Sequence, residues 1–186
     1  WGFFIVLSIA SLSLLLLTPT ITIKLALSFS LLILLYPLAK RFIKAPQVIL
    51  GITFGSGSII SYSLQSGSFS LSIIILYVGL VAWIVSFDSI YALEDIEDDA
   101  KIGINSTPIL WGKKTVPIAN ILQLLFYAAI ALIAYLNTFS AFFIVTFSLL
   151  LALLYFQNKL VKAGRYLDAF KFNNNIGIVR VTSYIL

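Results

Sequence analysis

Six of the seven acidic residues fall within twelve positions: Asp88, Glu94, Asp95, Glu97, Asp98 and Asp99. A carboxylate at the centre of a membrane-spanning helix costs about 2.5 to 3.5 kcal/mol or more, so acids at the end of an apolar run are expected to face water, a partner or a metal. The chain has no His and no Cys. Thiolate and imidazole chemistry are therefore excluded, and any metal must be held by oxygen, which favours a hard cation such as Mg²⁺ over zinc or iron. If one helix continues from Trp83 through Asp99, a turn of about 100° per residue places Asp95 and Asp99 within about 20° of Asp88, with Tyr91 and Asp98 flanking the same face and Glu97 opposite. Three carboxylates on one stripe repel one another unless a cation sits between them. Mg²⁺ keeps several positions for water or phosphate oxygens, which suits a site for a pyrophosphate. An ordinary solvated acidic loop after a span would give the same composition.

The elements that must position these acids are membrane helices. Hydrophobic residues make up 61% of the 186 and charged residues 10%, against about 45 to 50% and 25% in soluble domains. The mean hydropathy is +1.08. So few charges cannot cover a soluble surface, and the expected fold is an all-α, polytopic transmembrane bundle. Apolar stretches are expected to cross the bilayer at Trp1 to Leu17, Ile21 to Leu38, Pro46 to Leu64, Phe69 to Leu93, Val116 to Leu136, Phe139 to Phe156 and Asn174 to Leu186, the last of them short. Thr18-Pro19-Thr20, Ser66-Gly67-Ser68 and Asn137-Thr138 mark turns, and Gly51, Gly55 and Gly57 permit close helix contact. No domain boundary or repeat divides the chain, so residues 1 to 186 are expected to form a single domain. The chain opens at Trp1 and contains no Met, which suggests a segment with further sequence upstream.

Ten of the twelve basic residues lie in alternate loops: Lys40, Arg41 and Lys44; Lys101, Lys113 and Lys114; Lys159, Lys162, Arg165 and Lys171. Short loops rich in Lys and Arg face the cytoplasm, so the acidic cluster is expected at the cytoplasmic (or matrix) side of a bacterial or mitochondrial inner membrane. Lys24 and Arg180 fall outside the pattern; an Arg inside a span calls for a partner. The net charge of +5 follows from this topology and gives no ground for nucleic-acid binding.

The segment Phe87 to Thr107 carries Asp88, Tyr91-Ala92, Asp95, Asp98-Asp99, Lys101-Ile102-Gly103 and Ser106-Thr107. It resembles the second aspartate-rich motif of the UbiA superfamily of intramembrane prenyltransferases. Tyr36-Pro37-Leu38-Ala39-Lys40-Arg41, followed by Pro46-Gln47 and Gly51, resembles the branch that prenylates 4-hydroxybenzoate, as does Ala169-Phe170-Lys171-Phe172-Asn173-Asn174-Asn175-Ile176-Gly177. The resemblance implies a nine-helix bundle in a complete member, about seven of those helices here, with the cavity opening near the cytoplasmic surface. It implies that Asp95 and Asp99 bind Mg²⁺ and a polyprenyl pyrophosphate, with Asp88, Tyr91, Asp98 and Lys101 lining the same site and Asp88 joining Asp95 and Asp99 in catalysis. The family's other half-site, N-D-x-x-D-x-x-x-D, does not occur in the chain. The first stretch corresponds best to the family's third helix, so the chain is expected to be N-terminally truncated and inactive alone. Ile96 and Glu94 depart from the family pattern, which commonly has Arg and an apolar residue there.

The implied reaction is Mg²⁺-dependent transfer of a polyprenyl group to the ring carbon ortho to the hydroxyl of 4-hydroxybenzoate, a step of ubiquinone biosynthesis. The lipid bilayer and an apolar interior would keep the allylic cation from water. Lys40 and Arg41 would hold a phosphate or the benzoate carboxylate, unless they serve only topology. Asn174, within the Asn173 to Asn175 run, would hydrogen-bond substrate, unless the run caps a helix. The alternatives are another quinone-pathway aromatic acceptor, or a non-enzymatic membrane subunit that binds a divalent cation.

Overall fold

The computed structural model describes residues 1 to 138 and 141 to 177. Helices α1 (Gly2–Leu16), α2 (Thr20–Phe42), α3 (Pro46–Ser66) and α4 (Leu71–Tyr91) are followed by two short helices, α5 (Ile96–Lys101) and α6 (Thr107–Trp111). The long helices α7 (Thr115–Leu136) and α8 (Ala141–Lys162) come next, then α9 (Tyr166–Lys171) and a helical segment over 173–177. Neighbouring long helices run antiparallel. Thr22 near the start of α2 shares a 3.0 Å hydrogen bond with Ser63 near the end of α3, and Asn137 at the end of α7 donates to Ser72 at the start of α4 over 3.1 Å.

Local chemistry sets several boundaries. Pro46 opens α3, where a missing N–H costs nothing, and Gly67 closes it with φ +64°, a left-handed cap that glycine adopts without strain. The Ser70 hydroxyl accepts the Ile73 N–H at the start of α4. Among the described residues, five helices are long and apolar enough to cross a membrane. The first stretch is shorter than expected: α1 has 15 residues, none buried, and at 1.5 Å per residue it covers about 22 Å of a hydrocarbon layer roughly 30 Å thick. The sixth stretch departs the other way. Helix α8 continues through Lys162, carrying Gln157, Asn158 and Lys159 beyond the apolar run. Of the seventh stretch, only the part up to Gly177 belongs to the described residues, and Arg180 lies outside them.

The core forms where α4, α7 and α8 meet. Phe126, Tyr127, Ile130, Leu150, Leu154 and Ile176 make one buried cluster, on which the Trp83 ring stacks through Phe126 with centroids 5.6 Å apart. The α3–α4 approach depends on Gly51, where a Cβ would meet Val85 Cγ2 at 2.9 Å and the Val81 carbonyl oxygen at 3.0 Å. Gly79 does the same for α4 and α7, with Ala129 Cβ 2.9 Å from its would-be Cβ; Gly57 has open space. Three buried amides pair with one another: Gln123 donates to Gln157 at 2.6 Å, and Gln157 donates to Asn173 at 3.0 Å and to the Ala169 carbonyl at 2.9 Å. These bonds lock α7, α8 and α9 together at the end of the bundle that carries the acids.

Candidate functional site

Helix α4 does not run through the acidic motif. It ends at Tyr91, the chain turns over residues 92–95, and α5 begins at Ile96 with Asp95 as its N-cap. The continuous stripe from Asp88 to Asp99 is therefore corrected: Asp88 belongs to α4, while Asp95 and Asp99 are one turn apart on α5, the Asp95 carbonyl accepting the Asp99 N–H at 2.8 Å. The physical reason lies in the residues. Consecutive acids along one helix face repel, and Asp is a weak helix former in an interior but a strong one in a first turn, where Glu97, Asp98 and Asp99 now sit.

What reunites the acids with a cation is the basic end of α2. The last carbonyls of a helix lack intrahelical partners. Here Asn105 supplies them, its N–H donating to the Lys40 carbonyl at 2.9 Å and its side-chain amide to the Arg41 carbonyl at 3.3 Å. The same loop is pinned to α3 and α4. The Thr107 N–H donates to Gln47 Oε1 at 2.9 Å and the Thr107 hydroxyl to Ser89 at 2.6 Å, all three side chains buried. Lys40 is thereby brought within electrostatic reach of both Asp88 and Asp99. Partial burial pushes the Asp99 carboxyl above its ordinary value; the Lys40 charge opposes this, and the Asp95 and Asp98 carboxylates add to it.

The other expected site residues are distributed unevenly. Asp98 and Lys101 pair with each other at 3.1 Å on the exposed surface, an arrangement worth little to stability. Tyr91 lies half-buried with its ring 4.7 Å from that of Phe170. The Arg41 side chain is exposed, and so is Asn174. In the Asn run it is Asn173 that is buried, held by Gln157 and by the Phe170 carbonyl at 2.9 Å. Gln47, Ser89, Asn105 and Thr107 all belong to the motif segments, yet nothing in their types or spacing marks them as the residues that pin the loop. Glu94, a departure from the family pattern, accepts the Leu167 N–H at 2.8 Å and so caps α9.

The pin on Thr107 has a measurable consequence. Gln47→Leu should leave that buried N–H unsatisfied and lower stability by about 1 to 3 kcal/mol, read as a lower unfolding midpoint in detergent. An unchanged midpoint would mean that Asn105 and the Thr107–Ser89 bond hold the loop without Gln47.

Oxygen donors suited to a cation are present. The Asp95 carboxylate makes no capping bond, the Asp99 carboxyl is crowded by acids, and no imidazole or thiolate competes. Among the described residues no three acidic side chains gather to enclose a metal. Two carboxylates one turn apart, Asp95 and Asp99, fit Mg²⁺, which binds through one or two carboxylates and completes its shell with water and phosphate.

A multi-pass helical membrane protein with an acidic turn docked against a basic helix end is the class that fold and site define. The chain belongs to the UbiA prenyltransferase family, which matches residues 1–178. It is 35% identical over 149 residues to a 4-hydroxybenzoate octaprenyltransferase of Cronobacter sakazakii, covering 78% of this chain and 51% of that protein. A 4-hydroxybenzoate octaprenyltransferase of Francisella tularensis subsp. tularensis is 33% identical over 162 residues, covering 83% of this chain and 56% of the relative. The chain thus spans about half the length of the curated relatives it matches. Its fold is similar to that of the apo structure of a UbiA homolog from Aeropyrum pernix K1, with a TM-score of 0.77 at 23% identity over 92% of this chain and 66% of the other.

Proposed function

We propose that the chain supplies the second aspartate half-site and much of the membrane chamber of an aromatic prenyltransferase that joins a polyprenyl group from its pyrophosphate to 4-hydroxybenzoate. The observation that carries this reading is the seating of the loop after the acidic turn on the basic end of α2, where Asn105 donates to the Lys40 and Arg41 carbonyls while Thr107 is held by Gln47 and Ser89. The names of the relatives support the acceptor. Positive loops at the same end support a cytoplasmic or matrix orientation.

In this reading Asp95 and Asp99 would hold Mg²⁺, which would neutralise charge on the departing pyrophosphate. Lys40 binds a terminal phosphate oxygen and offsets repulsion between the phosphates and the acids. Tyr91, its ring tilted against that of Phe170, orients the donor or acceptor, and Asp98 and Lys101 form the outer rim. Once the allylic C–O bond breaks, the prenyl cation is attacked by the ring carbon ortho to the phenol. The ring proton then passes to a carboxylate, Asp88 being the most enclosed of the acids, or to the released pyrophosphate. Phe and Leu side chains of the spans exclude water meanwhile.

The test is product formation in membranes supplied with 4-hydroxybenzoate, a polyprenyl pyrophosphate and Mg²⁺. The 186-residue chain is assayed alone and joined to the N-terminal half of the Cronobacter relative. Activity is expected only in the joined protein, and chelation of the metal should abolish it. Turnover by the chain alone would refute the half-site reading; no product from a folded joined protein would point to a different acceptor.

A further inference from the structure

At the end of α8, four residues one helical face apart, Tyr155, Asn158, Lys159 and Lys162, line a cleft of about 160 Å³. The neighbouring face continues it: Phe156, Lys159, Leu160 and Ala163, with Arg165 and Phe172, line a cavity of about 400 Å³ whose walls are almost wholly apolar. Lys159 stands on the boundary of the two. The helix buries the opposite side, Leu154, Gln157 and Val161, against the core. Neither lysine has a carboxylate partner among the described residues, whereas Arg165 is taken up by Asp168 at 2.8 Å. A polar, doubly cationic cleft opening into an apolar slot, where a membrane helix leaves the bilayer, has the shape and charge of a lipid headgroup with its tail.

We propose that this end of α8 binds an anionic phospholipid, its phosphate held by Lys159 and Lys162 with Asn158 and the Tyr155 hydroxyl, and one acyl chain lying against Phe156, Leu160, Ala163 and Phe172. Zwitterionic lipids are discriminated against because their own ammonium competes for the phosphate while adding a charge that the lysines repel. The site is separate from the acidic turn and does not depend on the prenyltransferase reading. By fastening α8 at the interface it steadies the helix whose Gln157 holds α9 and, through Glu94, the acidic loop.

The experiment is lipid titration of the purified chain in detergent, followed by native mass spectrometry, with phosphatidylglycerol against phosphatidylcholine. Wild type should prefer phosphatidylglycerol by roughly tenfold. The K159Q/K162Q variant should lose that preference, and the equally charge-reduced K113Q/K114Q variant should keep it. Ala163→Trp, which fills the apolar slot from an exposed position, should weaken binding with both lysines intact. Preference retained in K159Q/K162Q, or lost equally in K113Q/K114Q, overturns the site. Glycerol phosphate binding as tightly as the lipid would make it a free-phosphate site and overturn the lipid assignment.

Discussion

Asp95→Ala is expected to lower product formation of the joined protein by roughly a thousandfold or more, while leaving its stability within about 0.5 kcal/mol of wild type. The separation of the two effects is what makes the result informative. Asp95 is exposed and its side chain makes no capping bond; its structural duty is carried by its backbone carbonyl, which Ala retains. A residue so dispensable to the fold, yet adjacent to a crowded Asp99, has its carboxylate free for a cation. Asp98→Ala supplies the contrast, because Asp98 spends its charge on Lys101 at the surface; a loss of only a few fold is expected there. The measurements are initial rates with saturating Mg²⁺ and an unfolding midpoint for each variant. Equal losses for Asp95→Ala and Asp98→Ala would remove the metal role from Asp95.

Lys40→Gln is expected to raise KM for the polyprenyl pyrophosphate by about tenfold or more, the loss of a charged hydrogen bond being worth roughly 1.5 to 3 kcal/mol. The sign for the metal alone is opposite. Lys40 opposes the negative potential at Asp99, so its removal should leave Mn²⁺ affinity in the absence of pyrophosphate unchanged or tighter. A merely structural lysine would not split the two readouts. The loop contact at this position uses the Lys40 carbonyl, not its side chain, so the variant keeps the Asn105 pin. Arg41→Gln is the control, since both side chains are exposed and both carbonyls are engaged by Asn105, but it is the Lys40 charge that acts on Asp88 and Asp99. A larger effect at Arg41 than at Lys40 would move phosphate recognition to the guanidinium.

Lys40 and Arg41 show why a single sequence ranks neighbours poorly. Both lie in the last turn of α2, at a helix end that membrane topology makes basic, and nothing local distinguishes them. The distinction arises from Asn105, sixty-odd residues away, which seats the loop so that the Lys40 charge acts on Asp88 and Asp99. Glu94 is a similar case: an unexpected carboxylate by pattern, it is explained by an α9 amide 73 residues along the chain. Asn173 and Asn174 are adjacent and chemically identical, yet only Asn173 turns inward to Gln157.

Sequence alone determined that this is an all-α membrane protein, where most of its spans lie, that the charged loops share one end, and which motif carries the acids. Those properties follow from lipid, which forces backbone groups to pair within a helix and charges to leave the apolar layer residue by residue. Tertiary structure decided the rest. It broke the acidic stripe at residues 92–95, where a fixed 100° period assumes a helix that does not continue, and it assembled Asp88, Asp99 and Lys40 from three helices. It did so through the buried bonds of Gln47, Ser89 and Thr107 and the more exposed one of Asn105, whose partners are distant in sequence and are fixed only when the backbone groups of the packed loop must each find a hydrogen-bond partner.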